Sequence, residues 1–297
     1  MAIKRLWQVD AFADRIYRGN PCAVVFDAAG LDTAAMQAIA QEMNLSETVF
    51  LLPPTTAEAD YRARIFTPRS ELPFAGHPTI SAAFCVWSNL REAGFGPLPS
   101  LLRQECTAGI IPVRIGGTPD APEFTMTQRP AEFRDIAITV DEVAAALGCA
   151  VTDIIGAPLE AASTGIWWMF TRLRTPGIVA SLDPDMSAIT ALSRKTGITG
   201  HGVWSVGASA PDCQIKLRCF APAEGIPEDP VTGSANGCLA ALIARGKVMG
   251  DGPISYRAEQ GAEIGRDGRI AVAIDNAAAG PRIGGHVVRV MVGDLEV

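Results

Sequence analysis

Two segments of this chain share an arrangement that can do chemistry. Gly76-His77-Pro78 and Gly233-Ser234-Ala235 each follow an acidic, proline-containing loop, and each precedes a run of small and apolar residues at helical spacing. A helix that starts there leaves its first backbone N–H groups without intrahelical partners and carries partial positive charge, so it can hold an anion. Glycine lets a ligand come close to the backbone. A small carboxylate suits such a place. The other reading is that both glycines only end loops, and spacing does not decide between the two.

Polar side chains cluster in sequence around these glycines: His77, Asp229, Ser234 and, further off, Glu47 in Asn44-Leu45-Ser46-Glu47-Thr48. Taken by residue type alone, Glu47 is a solvated glutamate at the start of a strand. His77 caps a helix or satisfies a loop carbonyl, Asp229 before Pro230 is a turn residue, and Ser234 is an N-cap. A carboxyl can also remove a proton from carbon and return it, if burial brings its pKa toward neutrality. Glu47 lies between a helix end and the apolar run 48–52, where partial burial is expected.

Other chemistries find little support. The histidines are His77, His201 and His286, far apart and without HExxH spacing, and the seven cysteines include no CxxC pair. No metal site and no disulfide framework is expected. Gly233-Ser234-Ala235-Asn236-Gly237 misses the GxSxG elbow by one position. GxGxxG is absent, so Gly200-His201-Gly202 reads as a turn rather than a dinucleotide loop. Trp167-Trp168 reads as core, and His286 as structural.

The elements that must position these residues alternate irregularly. Strands are expected over 4–12, 22–26, 48–52 and 59–66, with a helix from an Asp32 N-cap to near Asn44 and a loop over 68–78. The helix over 79–90 is apolar nearly all round and therefore belongs inside a core. Later come helices over 136–147, 186–196 and 234–244, a polar loop over 221–233, and strands over 167–173, 203–206, 215–220, 254–258, 269–274 and 286–292. One pattern occurs twice: Arg64-Ile65-Phe66-Thr67-Pro68 and Arg218-Cys219-Phe220-Ala221-Pro222 both lead through an acidic loop to a glycine and a small-residue helix. Such a repeat predicts two similar domains, each with a buried helix. By composition the best boundary is 116–122.

With 297 residues, 48% apolar and 19% charged, the chain has the composition of a globular protein and the length of two domains. A net charge of −7 argues against a nucleic-acid partner. No segment is apolar for long enough to span a membrane, and residues 1–10 lack the features of a signal peptide, so a cytoplasmic location is expected.

Gly19-Asn20-Pro21, Asn44-Leu45-Ser46-Glu47-Thr48, Pro73-Phe74-Ala75-Gly76-His77-Pro78-Thr79 and Glu228-Asp229-Pro230-Val231-Thr232-Gly233-Ser234-Ala235, in this order and with Gly284-Gly285-His286-Val287-Val288-Arg289-Val290 near the end, resemble the phenazine-biosynthesis PhzF-like family of the diaminopimelate epimerase superfamily. The resemblance implies an α/β (α+β) fold of two pseudo-symmetric domains, each a curved mixed sheet around a central helix. The domains would cover 1–118, completed by about 281–297, and 119–280, with the active site between them at the two helix starts. It implies a homodimer and a biosynthetic isomerase of the trans-2,3-dihydro-3-hydroxyanthranilate isomerase type, working without cofactor. In that family one glutamate moves the proton. Motif by motif, Glu47 becomes the general acid/base, His77, Asp229 and Ser234 bind substrate, and Gly76 and Gly233 offer backbone N–H groups.

Two rival readings accompany this one. The epimerases and racemases of the superfamily use a cysteine at each helix start, where this chain has the His77 and Ser234 regions. Cys85 and Cys238, further along the same helices, would have to serve in a cysteine-dependent epimerase or racemase. The second rival is a small-molecule binding protein without catalysis, because fold alone does not establish activity.

Overall fold

The computed structural model describes residues 2–297, the side chains of residues 157 and 158 excepted. The chain divides into two units, Met1–Thr127 with Gly284–Val297, and Gln128–Ile283. The first unit contains β1 (Ile3–Ala11), β2 (Asn20–Val25), α1 (Thr33–Met43), β3 (Glu47–Leu52), β4 (Tyr61–Phe66), β5 (Glu71–Leu72), α2 (Gly76–Glu92), β6 (Leu101–Cys106), β7 (Gly109–Thr118) and β8 (Ala121–Thr127). The second contains β9 (Glu132–Asp135), α3 (Val140–Leu147), β10 (Ile154–Ser163), β11 (Trp167–Leu173), α4 (Pro176–Ser181), α5 (Met186–Thr196), β12 (Gly200–Val206), β13 (Ile215–Ala221), β14 (Ile226–Asp229), α6 (Gly233–Arg245), β15 (Ile254–Gln260) and β16 (Gly268–Ile274). β17 (Arg282–Gly285) and β18 (Val287–Glu296) close the chain, with β18 in the first unit. The stretch 116–122, a boundary by composition, is the turn between β7 and β8 of the first unit.

The sequence repeat is a repeat of topology. In the first unit the strands pair in the order β18, β1, β2, β3, β4, β6, β7, β8, parallel only at β2–β3 and β4–β6. In the second the order is β9, β10, β11, β12, β13, β15, β16, parallel only at β11–β12 and β13–β15. Side chains two apart on a strand share a face, which explains the recurring Arg-x-Phe. Arg64 grips Glu71 with two bonds of 2.7 and 2.6 Å and lies over Phe66. Arg218 likewise grips Glu228 at 2.9 and 2.8 Å and lies over Phe220.

Each sheet packs on one helix. α2 touches β1, β2, β3, β4, β6, β7, β8 and β18, and α6 touches β10, β11, β15 and β16. Ten residues of α2 and nine of α6 are buried, as their lack of a polar face requires. On the outer faces, α1 covers a core that includes Met36, Ala40, Phe50 and Phe66, and α3 and α5 cover one that includes Leu147, Ile189, Met169 and Phe220. α1 is capped as its sequence predicts: the Asp32 carboxylate accepts from Ala35 N, and Asn44 closes the helix in the left-handed conformation. Among the described residues no helix is long and apolar enough to cross a membrane.

Several expectations need correction: the helix over 136–147 starts only at Val140, and the loop over 221–233 contains β14. Gly200-His201-Gly202 is strand, not turn. Trp168 and Phe170 of β11 lie against Gly200 and Gly202 in parallel register. A Cβ on these glycines would come within 2.3 Å and 2.6 Å of the two rings, so glycine here makes room for aromatics. α2 starts at Gly76, three residues before the expected start, and shortens the loop over 68–78. Ser234 is not the N-cap of α6; Thr232 is, and Ser234 is the second helical residue. The segment 101–127, without an element in the sequence reading, holds three strands, and His286 lies between β17 and β18 with Nδ1 2.9 Å from the Pro122 carbonyl oxygen.

Candidate active site

In the first unit the site grows from three tight backbone features. Asn44 ends α1 so that β3 begins three residues later with Glu47. Gly19 turns the chain into β2 at φ +63°, where a Cβ would come within 2.1 Å of the Ala11 carbonyl oxygen, so only glycine fits. Buried Asp10 accepts a 2.7 Å bond from Tyr17 N and fixes the loop that leads there. β2 and β3 then run parallel with Cys22 opposite Glu47.

This frame delivers Glu47 to the first turn of α2. Glu47 Oε2 lies 3.3 Å from His77 Nε2, with the two side chains 13% and 7% exposed. The imidazole also donates to the carbonyl of Pro21, the last residue of Gly19-Asn20-Pro21. Burial pushes His77 down to about 3, so it is neutral at physiological pH. With its other ring nitrogen committed to Pro21, Nε2 is left as an acceptor that faces the carboxyl. Gly76 and His77 are the first residues of α2, where backbone N–H groups lack helical acceptors. The structure thus brings Glu47, His77 and Gly76 together.

In the second unit, Asp229, Gly233 and Ser234 gather at the start of α6. Asp229 ends β14 and accepts a 2.5 Å bond from the Thr232 hydroxyl. Ser234 Oγ accepts a 3.1 Å bond from Trp168 Nε1, which leaves the hydroxyl hydrogen to be donated elsewhere. Gln128 donates to the Gly233 carbonyl at 3.0 Å. The sequence reading placed Trp168 in the core. It is buried, but its N–H donates to Ser234. Thr232 and Gln260, which also hold this region, escaped the sequence reading. Thr232 could have been found as the threonine within Asp-Pro-Val-Thr-Gly-Ser, whereas Gln260 has no local signal.

Cys22, Cys85 and Cys238 are buried. Burial raises Cys22, Cys85 and Cys238, the last to about 11, so all three are protonated at neutral pH. Among the described residues no group of three His, Cys, Asp or Glu side chains is placed to hold a metal ion.

Comparison with known proteins identifies the family. The model of the phenazine biosynthesis-like (PhzC-PhzF) protein family matches residues 9–293. An uncharacterized isomerase of Clostridium acetobutylicum is 33% identical over 91% of this chain and 89% of its own length. A trans-2,3-dihydro-3-hydroxyanthranilate isomerase of Pseudomonas aeruginosa is 33% identical over 91% of this chain and 90% of its own length. The crystal structure of a Bacillus anthracis phenazine biosynthesis protein of the PhzF family superposes with a TM-score of 0.89, at 28% identity, over 100% of both chains. By the family match over nearly its whole length and by the superposition on a PhzF-family structure, this chain belongs to the phenazine biosynthesis PhzF-like family, within the diaminopimelate epimerase-like superfamily.

Proposed function

We propose that this chain is an isomerase of a small carboxylate-bearing metabolite, in which Glu47 moves the proton without a cofactor. The observation that carries the reading is the buried contact of Glu47 with neutral His77 at the N-terminus of α2. As carboxylate, Glu47 takes a proton from a C–H bond, and the electron pair passes into the neighbouring unsaturation. As carboxylic acid, it returns the proton to another carbon, so the substrate's composition is unchanged. His77, Asp229 and Ser234 orient the substrate, and the backbone N–H groups at Gly76 and Gly233 bind its anionic group. The buried, protonated state of Cys85 and Cys238 favours a carboxyl over a pair of thiolates as the proton carrier. The relative from Pseudomonas aeruginosa points to a cyclic dihydro-hydroxy amino acid as the substrate type. A cytoplasmic location and a homodimeric assembly belong to the same proposal.

The test incubates wild type and Glu47→Gln in heavy water with a set of small carboxylic acids that includes trans-2,3-dihydro-3-hydroxyanthranilate. A product of shifted retention and constant or plus-one mass, formed by wild type only, is expected. Near-normal turnover by Glu47→Gln would remove Glu47 from its role. Tight binding of a carboxylate by wild type with no isotope uptake would favour the non-catalytic rival.

A further inference from the structure

We infer that Thr232 and Gln260 form a positioning chain that sets the Asp229 carboxylate for substrate. The inference rests on Asp229 being a substrate-binding residue, as proposed above. Gln260 ends β15 and is 1% exposed. Its Nε2 donates to the Asp229 carbonyl oxygen and to Thr232 Oγ1, both at 2.9 Å. Its Oε1 accepts from Thr232 N at 3.1 Å and from Asn236 Nδ2 at 3.2 Å. A primary amide has two N–H bonds and two lone pairs to offer, and all four are used. The amide therefore has one orientation: turned over, it would set N–H against N–H and C=O against C=O.

That orientation passes to Asp229. Thr232 Oγ1 accepts from Gln260, so its own hydrogen is directed to Asp229 Oδ2 at 2.5 Å. Gln260 thus holds the backbone of Asp229 directly and its carboxylate through Thr232. Gly261, which follows Gln260 at φ +86°, makes the close approach possible, since a Cβ there would come within 2.5 Å of the Pro230 carbonyl oxygen.

The duplicated fold shows that the unit's architecture does not require this chain. Strand register places Leu72, Ala75 and Cys106 of the first unit where the second has Asp229, Thr232 and Gln260. The first unit keeps the same strand order and buried helix with none of these side-chain bonds. What the three residues add is a carboxylate held by the N-cap residue of α6. Part of the network is common to both units: Asn236 Nδ2 donates to the Thr232 carbonyl at 3.0 Å, as Thr79 Oγ1 donates to the Ala75 carbonyl at 2.8 Å. That bond belongs to the helix start, not to the carboxylate.

The experiment measures kcat and KM for trans-2,3-dihydro-3-hydroxyanthranilate, and the calorimetric Kd of the stable aromatic analogue 3-hydroxyanthranilate, in wild type, Asp229→Asn, Thr232→Val, Thr232→Ser, Gln260→Glu and the double variant Asp229→Asn/Thr232→Val. Thr232→Val should raise KM and Kd about tenfold, the worth of a hydrogen bond to a charged group, with kcat changed less than about threefold. Thr232→Ser, which keeps the hydroxyl, should restore both to within about threefold. Gln260→Glu, of the same shape, should act like Thr232→Val. The double variant should be no worse than Asp229→Asn alone. Wild-type KM in Thr232→Val, equal defects in Thr232→Val and Thr232→Ser, or additive losses in the double variant would overturn the inference while leaving Asp229 in place. Wild-type KM in Asp229→Asn, or a wild type that neither converts the one compound nor binds the other, would remove the substrate role of Asp229 and the inference with it.

Discussion

The starts of α2 and α6 are the same place built twice, and they differ in one respect that matters for chemistry. Register aligns Glu47 with Gly200, Cys22 with Trp168 and His77 with Ser234. In the first unit a small Cys22 leaves room for a carboxyl against an imidazole. In the second the carboxyl position is glycine, and the Trp168 indole fills the space and donates to Ser234. One start has a carboxyl against an imidazole, the pair proposed as acid and base. The other has a hydroxyl that accepts from an indole and a carboxylate held by a threonine, the set proposed to hold the substrate. The two units share a frame, and a few differences within it would divide the work as proposed.

The largest expected effect tests that division. Glu47→Gln should lower kcat roughly a thousandfold, as loss of a general acid/base does, whereas Ser234→Ala should lower kcat/KM only about tenfold, the worth of a hydrogen bond. Similar losses at the two positions in steady-state assays would erase the distinction.

The duplicated arginine clamps give the next contrast. Arg218 and Glu228 have side chains 7% and 8% exposed, against 23% and 30% for Arg64 and Glu71. Arg218 also donates to the carbonyls of Val179 and Leu182. Breaking a buried pair leaves an uncompensated charge, so Glu228→Gln should cost about 3 kcal/mol. Glu71→Gln should cost about 1 kcal/mol or less, because water screens the exposed pair. Urea denaturation of both variants checks the order.

A third test addresses why the second unit has no counterpart of Glu47. Gly200→Ala puts a methyl into the Trp168 ring, and it should destabilise by roughly 1–3 kcal/mol while lowering kcat/KM through the displaced donor to Ser234. Wild-type stability in denaturant would mean that the ring moves freely and that Gly200 does not explain the difference.

The last effect concerns pH. Burial pushes both His77 and His201 down to about 3, and His201 Nε2 lies 2.8 Å from Thr171 Oγ1. In the unfolded chain each takes up a proton near pH 6.5. Below that value the unfolded state binds more protons than the folded one. Stability is therefore full above about pH 6.5 and declines toward pH 3, by at most about 1.4 kcal/mol per pH unit for each histidine. Thermal midpoints at pH 7 and pH 4.5 should show a smaller drop in His201→Phe than in wild type.

Much of the frame was legible in the sequence because its signals are local. The buried helices declare themselves by lacking a polar face, α1 by Asp32 and Asn44 at its ends, and the duplication by its two Arg-x-Phe-x-Pro segments. The strands over 101–127 were not legible. β7 is mostly exposed or half-buried, so its residues do not alternate in polarity. Gly200-His201-Gly202 misled for a different reason: two glycines signal a turn unless the aromatic neighbours across the sheet are known.

By itself the sequence determined the family and marked the short segments in which the candidate site residues stand. Only the tertiary structure decided which side chains meet. Glu47 and His77 are thirty residues apart in the chain, Trp168 and Ser234 sixty-six, and Asp229 and Gln260 thirty-one. Each contact depends on the register of paired strands and on where a helix begins relative to them. Register follows from the packing of both faces of a sheet at once, and no window of sequence contains both faces.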